Sequence, residues 1–320
     1  MAVYTHLGLE EILAFLEAYD LEPLTAFHGI REGVENTNYL LVTETRRFIL
    51  TIYEKRVDPA DLPFFLGLMD HLAGKGFPCP VPLRDREGRT LRHIHGKPAA
   101  IVTFLEGRSP RRITPERCDA LGRILARLHL DGLDFALRRD NGLAVPALRP
   151  LFALSAPRAD EVEAGLGEEL ARELETLECN WPRDLPSGVI HADLFPDNVF
   201  FAGDAVTGVI DFYFACNDLL AYDLAICMNA WCFEPLAEFN ITKARALLRG
   251  YREVRALSGA ELEALPILAR GAAMRFLLTR LHDWLHRVEG ALVQPKNPLE
   301  YLRKLRFHRG IRGPAAYGLD

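Results

Sequence analysis

The stretch HADLFPDN, residues 191–198, decides how this chain folds. An apolar GVI precedes it at 188–190, VFF follows at 199–201, and a second apolar run, GVIDF at 208–212, carries Asp211. Apolar, β-branched runs on both sides of a polar segment predict a strand, a loop bearing His191, Asp193 and Asn198, and then a hairpin closing on a carboxylate. A lone Asp–Asn pair would be ordinary turn chemistry. Three polar elements in this order, each beside a β-type run, fit a different task. Phosphoryl transfer from a nucleotide needs a group to take the proton of the attacking hydroxyl and hard oxygens to hold Mg²⁺ on the phosphates. An Asp, an Asn after four intervening residues, and a strand-borne Asp supply that set from one short segment, so their geometry can be rigid.

The rest of the composition is compatible with that chemistry and excludes others. A chain of 320 residues, 49% hydrophobic, can bury a sizeable core and suits two lobes better than one. A net charge of −6 and a pI near 6.0 argue against nucleic acid as the main partner. No apolar run approaches the ~20 residues that a membrane span needs. The beginning, MAVYTHLGLEEIL, is acidic and amphipathic, unlike a basic-then-apolar leader. The six cysteines show no CxxC spacing and sit mostly among apolar neighbours, so they read as reduced, buried thiols and place the protein in the cytoplasm.

The segment 191–198 resembles the catalytic loop of the protein-kinase-like fold, in the small-molecule branch related to aminoglycoside phosphotransferases and choline kinases. That branch writes the loop as H-x-D-x-x-x-x-N, as here. The resemblance implies an α+β, bilobal chain: a smaller β-rich nucleotide-binding lobe over residues 1–106 and a larger, mainly helical catalytic and substrate lobe over 107–320. It also implies ATP and Mg²⁺, with Asp193 as base, His191 positioning the loop, and Asn198 and Asp211 holding the metal.

Upstream, Leu9, Ile12, Leu13 and Leu16 have helical spacing and predict a helix near 7–19. Two strand-like pieces then flank a turn containing Gly33, Glu35 and Asn36, and RRFILTIYEK alternates as a third strand. By the resemblance, Gly29 and Gly33 belong to a loop that covers the phosphates. The fold usually carries a basic residue on the third strand, where this sequence has Thr51. Lys55 lies four residues on, about 13 Å further along an extended strand. Lys55, Arg31 and Arg47 are the candidates to replace the missing cation. Residues 58–75 predict a helix entered through Pro59, with Asp61 as a helix-start carboxylate. A hairpin turn is expected at Glu87-Gly88, followed by an apolar strand ending at Leu105-Glu106-Gly107; that end resembles the hinge whose backbone meets adenine, which makes Phe104, Leu105 and Glu106 the nucleotide-binding candidates there.

Downstream, Thr114-Pro115 opens a helix whose end, LGRILARLH, resembles the one preceding the catalytic region; His129 reads as a packed or capping residue. Residues 157–178 are charged and helical. In NDLLAYDLA, Asp223 matches a buried Asp that braces the catalytic loop, while Asp218 could face substrate. The last third is helical, with capping-box spacing at Ser258–Glu261 and again from Asn297 to Glu300. Within AAMRFLLTRLHDWLHR, at least one of Arg275 and Arg280 should turn inward.

GIREGVENTNY, FILTIYEKR, DLPFFLGLMDHLA and GVIHADLFPDNVFF together resemble the bacterial homoserine kinases. This implies L-homoserine as acceptor and O-phospho-L-homoserine, a step towards threonine, as product. A zwitterionic acceptor wants a guanidinium for its carboxylate and an acid for its ammonium; Arg275 or Arg280, with Asp218 or Asp283, are the candidates. Choline, methylthioribose and aminoglycoside kinases are the alternatives, and a non-catalytic ATP-binding regulator is another. A protein kinase is disfavoured, because no A-P-E pattern follows Asp211.

Overall fold

The structure is a computed structural model that describes residues 5–30, 36–54, 57–287 and 295–319. The chain divides into two compact units, Met1–Gly107 with Thr207–Tyr213, and Arg108–Val206 with Phe214–Asp320.

In the first unit, α1 (Leu9–Leu16) turns Ile12 and Phe15 inward. Strands β1 (Leu24–Ile30), β2 (Thr37–Thr43) and β3 (Arg47–Ile52) follow, then α2 (Leu62–Gly74), β4 (Arg92–Ile94) and β5 (Lys97–Thr103). The strands make one antiparallel sheet in the order β1-β2-β3-β5-β4. Alternation sets its inner face. Tyr39 and Leu41 on β2 and Phe48, Leu50 and Ile52 on β3 are buried together with Ile12, Phe15 and Tyr19. The chain reverses at Glu87-Gly88 as expected: Gly88, at φ 80°, donates to the Asp85 carbonyl (2.9 Å) and Asp85 N–H to that of Arg89 (2.8 Å), while the Asp85 carboxylate accepts from the Glu87 and Arg89 N–H groups and pairs with Arg89 and Arg92. The tight hairpin joins β4 to β5 at His95-Gly96, both at positive φ (50° and 74°), as a two-residue reversal demands. The following strand ends at Thr103, ahead of the predicted hinge.

The second unit begins with α3 (Pro115–Asp131), α4 (Val145–Ser155) and α5 (Leu166–Asn180). Next come β6 (Ser187–Ile190), β7 (Val199–Ala202), β8 (Ala205–Val209) and β9 (Cys216–Leu219). Helices α6 (Leu220–Trp231), α7 (Ile241–Val254), α8 (Gly259–Leu285) and α9 (Leu299–Arg309) complete it. Thr114 caps α3 as its sequence predicts, and Ser258 and Glu261 form the expected capping box on α8. At Asn297 the second capping box does not form. Asn297 accepts from Leu299 N–H, while the Glu300 carboxylate is drawn to two cations. Helices α3 and α7 meet backbone to backbone. A Cβ on Gly122 would lie 2.1 Å from the Leu247 carbonyl oxygen, and one on Gly250 2.1 Å from that of Asp119. Helix α6 is buried almost throughout, because α8 packs on it and it carries the residues that hold the loop after β6. Strands β6 and β9 pair antiparallel with Ile190 opposite Cys216, so the loop 191–198 leaves the ladder where β9 enters it.

Candidate active site

The loop after β6 is held through its backbone. Asp223 on α6 is fully buried, and its two carboxylate oxygens accept the N–H groups of His191 (2.7 Å) and Ala192 (2.9 Å). Ala192 has φ 63°, a left-handed conformation that a residue with a Cβ adopts only when its surroundings enforce it. Its carbonyl is gripped from the other side by the Arg275 guanidinium at 2.6 Å. The Leu194 carbonyl accepts from the Trp231 indole at 2.8 Å. Asp193 N–H donates to His191 Nδ1 (3.3 Å), which makes Nδ1 the accepting nitrogen of that ring. The Asn198 amide donates to the Asp193 carbonyl (2.8 Å) and reaches its carboxylate Oδ2 (3.4 Å). With its nitrogen turned inward, Asn198 keeps an amide oxygen for a hard cation.

Behind Asp223 lies a buried chain that the sequence did not reveal. His129, read as a packing residue, places Nε2 3.2 Å from Asp223 Oδ2 and Nδ1 2.7 Å from the Tyr251 hydroxyl. Tyr251 in turn accepts from Arg255, which pairs with Glu261. Burial alone would raise the Asp223 carboxyl. The His129 hydrogen bond, the neighbouring imidazoles and the His191 N–H outweigh it, so the group stays below its ordinary value and ionised.

Of the four residues proposed for the acceptor, the two arginines diverge as their helical spacing predicts, one inward and one onto a partner carboxylate. Arg275 does turn inward and is buried, but its Nη1 holds the Ala192 carbonyl, and its plane lies against Phe214 and Phe276 (5.6 and 4.7 Å). Through that nitrogen it clamps the backbone of the loop. Arg280 lies 140° around α8 from it and pairs with Glu300 (2.7 Å) over the Tyr301 ring. Asp218 accepts from Asn141 (2.6 Å) and from Leu219 N–H (2.7 Å). Burial raises its carboxyl above the ordinary value in spite of both bonds. Asp283 is exposed on the last turns of α8.

In the first unit, Thr51 donates to Asn38 across the β2–β3 pair (2.8 Å) and therefore serves the sheet. Arg47, a candidate phosphate cation, instead pairs with Glu106 and stacks 4.4 Å over Phe104. The Glu106 carbonyl, expected to meet adenine, accepts from the Thr207 hydroxyl (2.9 Å), and Phe104 N–H donates to the Arg47 carbonyl (3.2 Å). Leu105 follows in the same extended segment, half-buried. Gly29 is an exposed residue of β1 opposite Tyr39. Gly33, Lys55 and Arg31 lie outside the described residues. Asp211, at φ 65°, sits just beyond β8. Burial pushes the Tyr213 hydroxyl up to about 12; Tyr53 and Thr51 oppose this through hydrogen bonds, and the Asp211 charge adds to it. Asp211 and Thr51 thus act on the same phenol. Lys97, not singled out by sequence, pairs with Glu54 (2.5 Å) beside Thr5.

Residues 26–257 match the model of the phosphotransferase enzyme family. The fold is protein-kinase-like. The amicoumacin kinase hAmiN in complex with AMP-PNP, Ca²⁺ and Ami superposes with a TM-score of 0.70 over 96% of both chains, at 16% identity. Over its full length the chain is 61% identical to homoserine kinase of Xanthobacter autotrophicus, covering 99% of that protein. It is 60% identical to homoserine kinase of Rhodospirillum rubrum, covering all of it. The chain belongs to the phosphotransferase enzyme family and, within it, to the homoserine kinases. Among the described residues no helix is long and apolar enough to cross a membrane.

Proposed function

We propose that the protein transfers the γ-phosphoryl group of ATP to the side-chain hydroxyl of L-homoserine, giving O-phospho-L-homoserine and ADP. The observation that carries this reading is the end-to-end similarity to homoserine kinases in a chain whose Asp193 is set in a fully supported loop. Asp193 takes the hydroxyl proton, or orients the hydroxyl, as the phosphoryl group departs. His191 fixes the loop by accepting the Asp193 N–H on Nδ1. Asn198, through its amide oxygen, and Asp211, through its carboxylate, are the groups suited to hold Mg²⁺, which when bound neutralises charge on the phosphates. The chain's contribution is orientation: a buried Asp, a buried Arg and an indole hold four peptide groups between Ile190 and Phe195 and leave the base little freedom.

The experiment is ADP release with ATP-Mg²⁺ across a panel of small hydroxyl amines. Homoserine should exceed choline, methylthioribose and an aminoglycoside in kcat/KM by at least about a hundredfold, since a site built for one set of polar groups rejects ligands that leave them unpaired. Equal or greater turnover with another member would replace the acceptor.

A further inference from the structure

An α-amino acid acceptor needs a carboxylate for its ammonium and a cation for its carboxylate, both close to Asp193. From hydroxyl oxygen to ammonium nitrogen homoserine spans four bonds, about 5 Å. Of the residues the sequence offered, Arg275 is buried on a backbone carbonyl and Asp218 is held by Asn141. The second unit has another group of charges. Glu300, on the first turn of α9, accepts from Arg280 on one oxygen (2.7 Å) and from Lys304 on the other (2.6 Å). Both cations lie 4.4 Å from the centre of the Tyr301 ring. The Lys304 and Arg280 side chains are 6% and 11% exposed, whereas Glu300 is 43% exposed. The cations are therefore enclosed, and the carboxylate they share is the accessible member.

Two features connect this group to the reaction. Glu300 and Lys304 line a cavity of about 800 Å³ that reaches the catalytic loop at Pro196 and carries a second enclosed lysine, Lys243, paired with Glu234. A ring series also runs from the loop to α9: Phe195 packs on Phe276 (4.9 Å), and Phe276 on Tyr301 (5.3 Å). Burial raises the Tyr301 phenol far above its ordinary value; Arg280 opposes this, and the charges of Glu300 and Asp193 both add to it. The base and the charged group therefore act on one side chain.

One carboxylate shared by two cations leaves a net positive charge in a cavity wall that also presents a carboxylate oxygen. A zwitterion complements that arrangement by exchange: its ammonium takes Glu300, and its carboxylate takes a cation that Glu300 releases. We propose that Glu300, Lys304 and Arg280 form the recognition centre for the amino-acid end of the acceptor, with the acceptor's ammonium on Glu300 and its carboxylate on Lys304 and Arg280. This assignment rests on the reading that the acceptor is a hydroxyl-bearing α-amino acid.

The test measures homoserine kinetics in Glu300→Gln, Lys304→Met and Lys304→Arg, with 3-aminopropan-1-ol (no carboxylate) and 4-hydroxybutanoate (no ammonium) as competing ligands. Lys304→Met should raise the homoserine KM at least about tenfold and leave the inhibition constant of 3-aminopropan-1-ol unchanged. Glu300→Gln should raise the homoserine KM similarly and leave 4-hydroxybutanoate unaffected or tighter. Lys304→Arg, which keeps the charge, should stay within about threefold of the parent, and the ATP KM should be steady throughout. A homoserine KM within about twofold of the parent in both Glu300→Gln and Lys304→Met, or a uniform loss with no change in ligand preference, overturns the assignment. Parent protein that fails to phosphorylate homoserine at all would instead remove the functional reading beneath it.

Discussion

The catalytic loop and the Glu300 group lie in the same unit, yet they are built on opposite terms. Around the loop, each buried side chain holds a backbone atom: Asp223 the N–H groups of His191 and Ala192, Arg275 the Ala192 carbonyl, Trp231 the Leu194 carbonyl. Hydrogen bonds to a charged group of this kind are worth about 1.5–3 kcal/mol each. Around Glu300, charge meets charge, two cations share one carboxylate, and that carboxylate faces the cavity. An incoming zwitterion supplies a new partner for each charge it separates, so the exchange leaves no enclosed charge unpaired. The contrast separates two tasks. The reacting group must stand in one place whatever is bound, whereas the recognising group must change partners when the ligand arrives.

Arg275 offers the sharpest way to break that comparison. If it is part of the fixed framework, Arg275→Met should lower kcat about ten- to a hundredfold by loosening the peptide next to Asp193, with KM for both substrates nearly unmoved. Arg275→Lys, which can still donate to the Ala192 carbonyl, should recover part of the loss. Steady-state kinetics read the split. A homoserine KM raised tenfold at unchanged kcat would return Arg275 to the acceptor and erase the distinction between the two regions.

A smaller effect probes the far side of the helix that carries Asp223. His308 is buried, with Nδ1 2.8 Å from the Tyr317 hydroxyl and Nε2 3.3 Å from Asn229 Oδ1. The Asn229 amide is spent on the Ala225 and Ala269 carbonyls, so Asn229 offers His308 only its oxygen, and Nε2 carries the ring proton. Burial lowers the imidazole from 6.5 to about 3, with Lys304 and Arg270 adding to the shift. In the window between those values the unfolded chain takes up a proton that the folded chain refuses. The His308 contribution is therefore complete above pH ~6.5 and declines as pH falls, with a slope approaching about 1.4 kcal/mol per pH unit. Urea unfolding from pH 7.5 to pH 5 should show the stability gap between parent and His308→Gln closing as pH falls. A gap independent of pH would mean that His308 is not held neutral.

What the sequence made legible was whatever is local. The strand–loop–hairpin around 191–198 lies within about twenty residues, and its Asp, Asn and flanking β-type runs declare themselves by spacing. The Thr114 and Ser258 caps do so for the same reason. What stayed hidden depends on partners distant in sequence. Helical periodicity separates Arg275 from Arg280, but it cannot say that Arg275 meets a carbonyl 83 residues earlier. Glu300 has the spacing of a capping box, yet Arg280 and Lys304 outcompete the backbone for it. The reversal at Glu87-Gly88 is local too, whereas the second one, at His95-Gly96, is defined only by the β4–β5 register. The partner of Arg47, Glu106, is 59 residues away, beyond the reach of local spacing.

In this framework Asp193 is the group proposed to act on the bound hydroxyl. Its most direct test is Asp193→Asn, assayed for O-phospho-L-homoserine formation alongside calorimetric titration of ATP-Mg²⁺. The expected result is a fall in kcat of about 10²–10⁴, with nucleotide affinity and unfolding midpoint close to those of the parent protein. Turnover near the parent's in a folded, nucleotide-binding variant would contradict it.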